Sequence, residues 1–117
     1  MEKKNDLLEL TFEFALDIIE YTEQLESLKK YVLARQLMKS GTSIGANSRE
    51  AQSAESLIDF IHKLKIAAKE SEETEYWLLL CQHSKNHPDP QALLDENLRI
   101  KKLLSSIIST SKNKLKS

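Results

Sequence analysis

The sequence predicts an all-α protein folded as an antiparallel up-down-up-down four-helix bundle. The 117 residues include only two glycines and two prolines, and they are rich in Leu, Glu, Lys, Ala and Ile, which favour helices. Apolar residues recur at intervals of three and four along most of the chain. One uninterrupted helix of that length could not pack against itself, so short turns between antiparallel helices are expected. The length suits one core, and we predict a single domain over residues 1–117.

The first predicted helix covers about residues 6–27 and carries a wide apolar face. It begins at Asn5 or Asp6, where Asp6 and Glu9 have the spacing of a capping box. One row contains Leu7, Phe14, Ile18, Tyr21, Leu25 and Leu28, and a second contains Leu8, Phe12, Ala15 and Ile19. Because a monomeric bundle needs only one row for its core, we expect the second row to line a contact between subunits.

The second predicted helix, about residues 30–53, places small and polar residues where a leucine-rich stripe is usual. Gly41 and Gly45 each cost about 1 kcal/mol relative to alanine inside a helix. Close packing of a partner helix against both glycines would offset that cost. A bend or an interruption of the helix at the glycines is the alternative, and the sequence does not decide between them.

The third predicted helix, about residues 56–85, presents a polar row toward the polar row of the second helix. With a turn near residues 54–56, Ser40 would lie beside Glu70 and Gln36 beside Glu73. Asn47 and Glu50 would lie beside Lys63 or Asp59. We interpret these rows as a structural seam that fixes the pairing of the helices rather than as a catalytic constellation. The predicted seam consists of Gln36, Ser40, Ser43, Asn47, Glu50, Lys63, Glu70 and Glu73.

The fourth predicted helix, about residues 90–112, follows the clearest break in the chain, His87-Pro88-Asp89-Pro90. Asp89 is placed to cap it, and Pro90 suits its first turn. Residues 1–28 hold eight acids and two bases, whereas residues 91–117 hold six bases and two acids. The first and last helices should therefore attract each other, within the bundle or between subunits. A nucleic-acid footprint at the basic end is the alternative, and the overall acidity argues against a strong one.

Catalytic, metal and cofactor sites are not indicated by the sequence, and we predict that the protein is not an enzyme. The motif Asp59-x-x-His62 has Asp where a di-iron bundle needs Glu. Cys81, the single cysteine, lies on the apolar row of the third helix, as a buried thiol would. The chain has no phosphate loop, zinc spacing or dinucleotide fingerprint.

A cytoplasmic location without membrane attachment is expected from the distribution of apolar residues. The N-terminal residues lack the apolar segment of a signal peptide. No uncharged apolar run approaches the roughly 20 residues that a membrane span requires.

A long composite pattern in the middle of the chain resembles a known family. It contains Gln36-Leu37, residues 40–47 (SGTSIGAN), Glu50-Ala51, Phe60, residues 63–67 (KLKIA), Lys69-Glu70, Glu73-Thr74 and residues 76–78 (YWL). The pattern is similar to that of the small bacterial four helix bundle proteins, also called intervening-sequence proteins because some are encoded inside large-subunit ribosomal RNA genes. The resemblance covers about residues 10–110. Two departures are Lys39, where arginine is typical, and the proline-free turn at residues 27–30.

The resemblance implies a ring-shaped homopentamer with no established enzymatic activity. It also implies a relationship to the accessory variability protein of diversity-generating retroelements, which binds nucleic acid and a reverse transcriptase through a basic surface. Two functions follow as expectations: an oligomeric scaffold or adaptor for another protein, or an RNA- or DNA-binding accessory protein. For the second, the expected contacts are basic residues that ring symmetry would gather, namely Arg35, Lys39, Arg49, Lys63, Lys65 and Lys69.

Overall fold

A computed structural model describes residues 5–117 as four helices. The helices are α1 (Asp6–Ser27), α2 (Tyr31–Ala51), α3 (Leu57–His83) and α4 (Gln91–Lys116). The prediction of an all-α four-helix fold is confirmed, and no strand occurs between residues 5 and 117. Helix α4 extends to Lys116, beyond the predicted end at residue 112. Residues 1–4 of the predicted domain lie outside the described residues.

The four helices form an elongated bundle in which each helix contacts its two neighbours in chain order. The neighbouring pairs are α1–α2, α2–α3, α3–α4 and α1–α4, and no Cα atoms of a diagonal pair lie within 8 Å of each other. Short connections between successive helices make neighbours antiparallel. The bundle measures 51 × 28 × 21 Å. Because the helices follow one another around the bundle axis, the face formed by α1 and α2 lies opposite the face formed by α3 and α4.

Side-chain caps form at the start of α1 and α3, and a side-chain bond to Asp89 precedes α4, whose N-cap residue Pro90 makes no such bond. Asn5 Oδ1 accepts a hydrogen bond from the Leu8 N–H at 3.3 Å, so Asn5 rather than Asp6 caps α1. Ser56 Oγ accepts from the Asp59 N–H at 3.0 Å at the start of α3. Asp89 Oδ1 accepts from the Gln91 N–H at 3.0 Å before α4. Each cap satisfies a backbone donor that the first helical turn leaves without a partner.

The turn between α1 and α2 reverses the chain without glycine or proline. Lys29 adopts the left-handed conformation with φ of 64°. The Lys30 N–H donates to the Leu25 carbonyl and the Lys29 N–H to the Glu26 carbonyl, both at 2.9 Å. These two bonds form a Schellman motif, which closes the last turn of α1.

The core of the bundle alternates apolar side chains with small polar ones. Phe14, Ile18, Leu37, Leu64 and Leu104 are fully buried. The buried polar residues are Thr11, Thr22, Ser40, Ser48, Ser71, Thr74, Asn97 and Ser111. Within residues 5–117 every buried side-chain nitrogen or oxygen has a hydrogen-bond partner. Burying these groups therefore leaves no unpaired polar atom to offset the apolar contacts.

Candidate functional site

A buried polar layer joins α2, α3 and α4 near the middle of the bundle. Thr74 Oγ1 lies 2.9 Å from Ser40 Oγ and 2.7 Å from the Glu70 carbonyl oxygen. Ser71 Oγ donates to Asn97 Oδ1 at 2.7 Å, and Asn97 Nδ2 donates back to the Ser71 carbonyl at 3.0 Å. The four side chains of this layer are at most 1% exposed, which leaves no access for a substrate. The layer aligns the helices, because any shift would separate buried donors from their acceptors.

The predicted seam residues are distributed between this layer and the surface. Ser40 is buried, whereas Gln36, Glu50 and Glu73 are exposed. Lys63 Nζ lies 3.1 Å from Glu50 Oε1. The remaining seam residues, Ser43, Asn47 and Glu70, are half-buried. The Ser43 side chain donates to the Lys39 carbonyl at 2.6 Å, and the Asn47 side chain donates to the Ser43 carbonyl at 2.9 Å, both within α2.

The register between α2 and α3 agrees with the prediction at Glu50 and Lys63 and differs from it at Ser40. Ser40 contacts Thr74, one helical turn beyond the expected Glu70. A hydroxyl pair can be enclosed at this position, whereas a Glu70 carboxylate there would have to lose its hydration. Glu73 accepts a hydrogen bond from Trp77 Nε1 at 3.2 Å on its own helix rather than a bond from Gln36.

Gly41 and Gly45 lie where α1 packs against α2. A Cβ atom added to Gly41 would lie 2.8–3.0 Å from three side-chain carbons of Ile18. One added to Gly45 would lie 3.3 Å from the side chain and the carbonyl oxygen of Thr11. Helix α2 runs from Tyr31 to Ala51 without interruption at either glycine. The glycines therefore accommodate α1 rather than break α2.

An apolar surface follows α1 on the face that it shares with α2. Phe12 is 56% exposed, Leu16 51% and Ile19 37%. We call these three residues the α1 stripe. Beside it lies a shallow hollow whose lining includes Leu8, Phe12, Ala15, Thr42, Ala46 and Arg49. Of the second apolar row of the first helix, Phe12 and Ile19 are exposed, and Leu8 and Ala15 are half-buried.

A basic groove lies between α3 and α4. Its four exposed lysines are Lys65, Lys69, Lys102 and Lys112. Its apolar part is formed by Ala68, Leu98 and Ile108, and Leu98 is 45% exposed. We call this set of seven residues the α3–α4 groove. It combines positive charge with apolar surface, which suits an acidic partner that also carries apolar side chains.

Lys101 lies in the same groove but is already paired. Its Nζ lies 2.9 Å from Glu72 Oε1 and 2.9 Å from Glu75 Oε1. Burial lowers the pKa of Lys101, but the hydrogen bonds to Glu72 and Glu75 outweigh burial and raise that pKa above its ordinary value. Lys101 therefore stabilises the packing of α4 on α3 and is not available to a ligand in the way that the four exposed lysines are.

The six basic residues expected to contact nucleic acid do not form one surface. Lys65 and Lys69 line the α3–α4 groove, whereas Lys63 pairs with Glu50. The others lie on α2: Arg35 and Lys39 are exposed, and Arg49 lines the hollow beside α1. Sequence reasoning missed Lys102 and Lys112, which complete the groove. Their signal was the excess of bases after residue 91, which indicates attraction for the first helix or, as the alternative, a nucleic-acid footprint.

Carboxylates meet between α1 and α4. Burial, and then a hydrogen bond with Asp17, raise the pKa of Glu96 to about 7. The negative charges of Asp17 and Glu13 act in the same direction, and Arg99 opposes them. Arg99 also lines a surface depression with Glu13. The α1–α4 contact thus brings carboxylates of both helices together, a repulsion that the charge distribution of the sequence did not predict.

Groups with catalytic potential are dispersed in the described part of the chain. Cys81 is 2% exposed, and burial raises the pKa of its thiol, so the reactive thiolate is disfavoured. His62 is exposed on α3. Between residues 5 and 117 no three His, Cys, Asp or Glu side chains form a group that could hold a metal ion. None of the helices in that range is long and apolar enough to span a bilayer.

The fold and sequence pattern agree with comparisons to known proteins. A family model described as 23S rRNA-intervening sequence protein matches residues 3–106. The chain belongs to this family. A crystal structure of a protein of unknown function from Bacteroides thetaiotaomicron VPI-5482, assigned to the S23 ribosomal protein family, is 42% identical. The similarity covers 87% of this chain and 97% of that chain, with a TM-score of 0.84. No match is found among curated proteins.

Proposed function

We propose that the protein is a non-catalytic, homo-oligomeric scaffold or adaptor of the cytoplasm. The observation that carries this proposal is the α1 stripe, whose side chains are between 37% and 56% exposed on one helix face. Phe12, Leu16 and Ile19 follow one another at helical spacing, so they form one continuous surface. Contiguous apolar surface of this kind is typical of protein–protein contacts.

The scaffold that we propose is a ring of identical subunits, and the family resemblance favours five. The elongated bundle offers long sides for lateral packing, with dimensions of 51 × 28 × 21 Å. A buried polar layer, with each side chain satisfied, gives the rigid alignment that a repeated building block needs. The proposal assigns no catalytic residue, because the side chains with catalytic potential are dispersed in the described part of the chain.

Multi-angle light scattering of the purified protein tests this proposal. We expect a single species with the mass of a closed oligomer, five subunits being the expected number. A monomer at micromolar concentration would overturn the scaffold proposal, because the α1 stripe would then lack the partner that it implies.

A second candidate function is nucleic-acid binding, which the α3–α4 groove favours. Lys65, Lys69, Lys102 and Lys112 are four exposed positive charges on one side of a chain whose net charge is only −1. A group of positive charges like this attracts phosphates, and oligomerisation would multiply the number of such groups. Binding of single-stranded and duplex RNA and DNA, measured across a salt series, tests this candidate. Its signature is a steep loss of affinity with salt, and no binding at low salt removes it.

A further inference from the structure

The bundle carries two surfaces of opposite character on opposite faces. The α1 stripe is apolar, and Glu20 and Glu23 continue it at the next helical turn from Leu16 and Ile19. The α3–α4 groove is also partly apolar, and its border carries exposed lysines. Acidic charge therefore accompanies apolar surface on one face, and basic charge accompanies apolar surface on the other.

These charges have no partners within the described chain. The ion pairs recorded for residues 5–117 join Lys63 to Glu50 and Lys101 to Glu72 and Glu75. Glu20 and Glu23 are exposed and belong to none of these pairs, and the same is true of the four groove lysines. A second copy of the chain could satisfy both sets at once.

We propose that the α1 stripe of one subunit docks into the α3–α4 groove of the next subunit. Phe12, Leu16 and Ile19 pack against Leu98, Ala68 and Ile108 of the neighbour. Glu20 and Glu23 face the lysines of the neighbouring groove, with Lys65 and Lys69 as their principal partners. The inference rests on the proposed homo-oligomer and names the two surfaces that form its interface.

The contact joins two different faces of the chain, so it is heterologous. The groove of each subunit is filled by one neighbour, while its own α1 stripe fills the groove of another. Such a contact repeats until the rotation between successive subunits closes a ring. Complementary charge determines which surface is chosen and in which orientation, and apolar burial supplies most of the stability.

Charge reversal at four exposed positions tests the pairing. We expect E20K/E23K and K65E/K69E each to assemble at least about tenfold more weakly than the wild type in sedimentation velocity, because like charges then face each other. The quadruple variant E20K/E23K/K65E/K69E restores opposite charges at every interface and should recover wild-type assembly. The matched control is K114E/K116E, which reverses two exposed lysines at the end of α4, outside the groove, and should assemble normally.

The outcomes separate this inference from the proposed function. A wild-type oligomer whose assembly is unchanged in both double variants, or is not recovered in the quadruple variant, overturns the α1–groove contact and leaves the scaffold intact. A monomeric wild type instead overturns the scaffold. Circular dichroism on each variant establishes that the helices are retained. If the groove of the assembled wild type binds a single-stranded RNA oligonucleotide and K65E/K69E abolishes that binding without weakening assembly, the groove is a nucleic-acid site and the docking inference is wrong.

Discussion

At Gly41 the missing side chain lets Ile18 of α1 approach the backbone of α2. We predict that Gly41→Ala lowers the free energy of unfolding by up to about 2 kcal/mol. An alanine gains about 1 kcal/mol of helix propensity, but its Cβ would lie only 2.8–3.0 Å from the buried Ile18 side chain, and overpacking of a core costs about 1–3 kcal/mol. Urea denaturation at a fixed protein concentration measures the change.

The control for Gly41→Ala removes the Ile18 side chain, which the new methyl group would otherwise contact too closely. In an Ile18→Ala background the space for the new methyl group exists, so Gly41→Ala should raise stability by up to about 1 kcal/mol. Destabilisation of the same size in both backgrounds would mean that the Ile18 contact is not the reason for the glycine.

Asn97 and Ser71 form the second half of the buried polar layer, with bonds of 2.7 and 3.0 Å. We predict that Asn97→Leu lowers the free energy of unfolding by about 1–3 kcal/mol, because Ser71 loses its side-chain partner in a dry environment. Adding Ser71→Ala should lower stability by less than its effect in the wild type. Urea denaturation of the two single variants and the double variant measures this coupling, and strictly additive losses would contradict it.

Individual polar residues of the layer could be predicted from the sequence only in part. The spacing of Ser40 predicts a place in a polar row, whereas Thr74 recurs at the spacing of the apolar row that includes Cys81, which predicts a core position. In the structure Thr74 is both buried in the core and hydrogen-bonded to Ser40. Asn97 was not identified, because an isolated amide on a leucine-rich helix gives no periodic signal. Its partner is 26 positions away in the sequence.

At the level of single helices, the turn after α1 depends on Lys29 in the left-handed conformation, with φ of 64°. We predict that Lys29→Gly raises the free energy of unfolding by about 0.5–1 kcal/mol, because glycine adopts this conformation without steric strain. The matched control is Lys30→Gly, at a position with φ of −94°, where glycine should lower stability. Thermal unfolding of both variants measures the difference. A loss of stability in Lys29→Gly would show that the left-handed conformation of Lys29 does not cost the turn any stability.

Apolar periodicity predicted the four helices because each helix buries one continuous row. The breaks were harder to predict. Lys29 reverses the chain although no glycine or proline marks the site, and Ser56 caps α3 through a side-chain bond that many serines could make. The end of α4 extends to Lys116 because its last turns are polar and lack a stop signal. Local sequence therefore determines the helical segments more strongly than their limits.

The contact between α1 and α4 should weaken as Glu96 ionises. Its folded-state pKa is raised to about 7 from an ordinary value of 4.5, so the folded state holds a proton that the unfolded chain releases. Stability contributed by this group is present below pH 4.5 and is lost as the pH rises through 7. We predict that Glu96→Gln, which keeps an uncharged side chain, gains more stability over the wild type at pH 8 than at pH 5.

Urea denaturation at both pH values measures the effect of Glu96→Gln. Glu26→Gln is the control, because Glu26 is exposed at the end of α1, and it should change stability by less than about 0.5 kcal/mol at either pH. An equal effect of Glu96→Gln at pH 5 and pH 8 would mean that burial and Asp17 do not oppose ionisation of Glu96 in the folded state.

For the whole molecule, the decisive property is that unlike surfaces lie on opposite faces. Phe12 and Ile19 of the α1 stripe belong to an apolar row that the sequence predicts, because the whole row lies on one helix, whereas Leu16 belongs to neither predicted row. The α3–α4 groove could not be predicted, since Lys65 and Lys112 become neighbours only when two antiparallel helices pack. The packing of α3 against α4 thus creates the groove. The periodicity of the sequence alone assigns its lysines to the solvated faces of two separate helices.

Assembly through the α1 stripe should make thermal stability depend on protein concentration. We predict that the wild-type midpoint rises when the concentration is raised tenfold, because association stabilises only the folded chain. Phe12→Ser should abolish this dependence, since Phe12 is 56% exposed in the single chain and is buried only in the oligomer that we propose. Leu115→Ser, at a residue 46% exposed near the end of α4, is the control and should keep the dependence. Differential scanning calorimetry at two concentrations makes the comparison. A concentration-independent wild-type midpoint, or equal behaviour of the two variants, would show that the stripe does not hold subunits together.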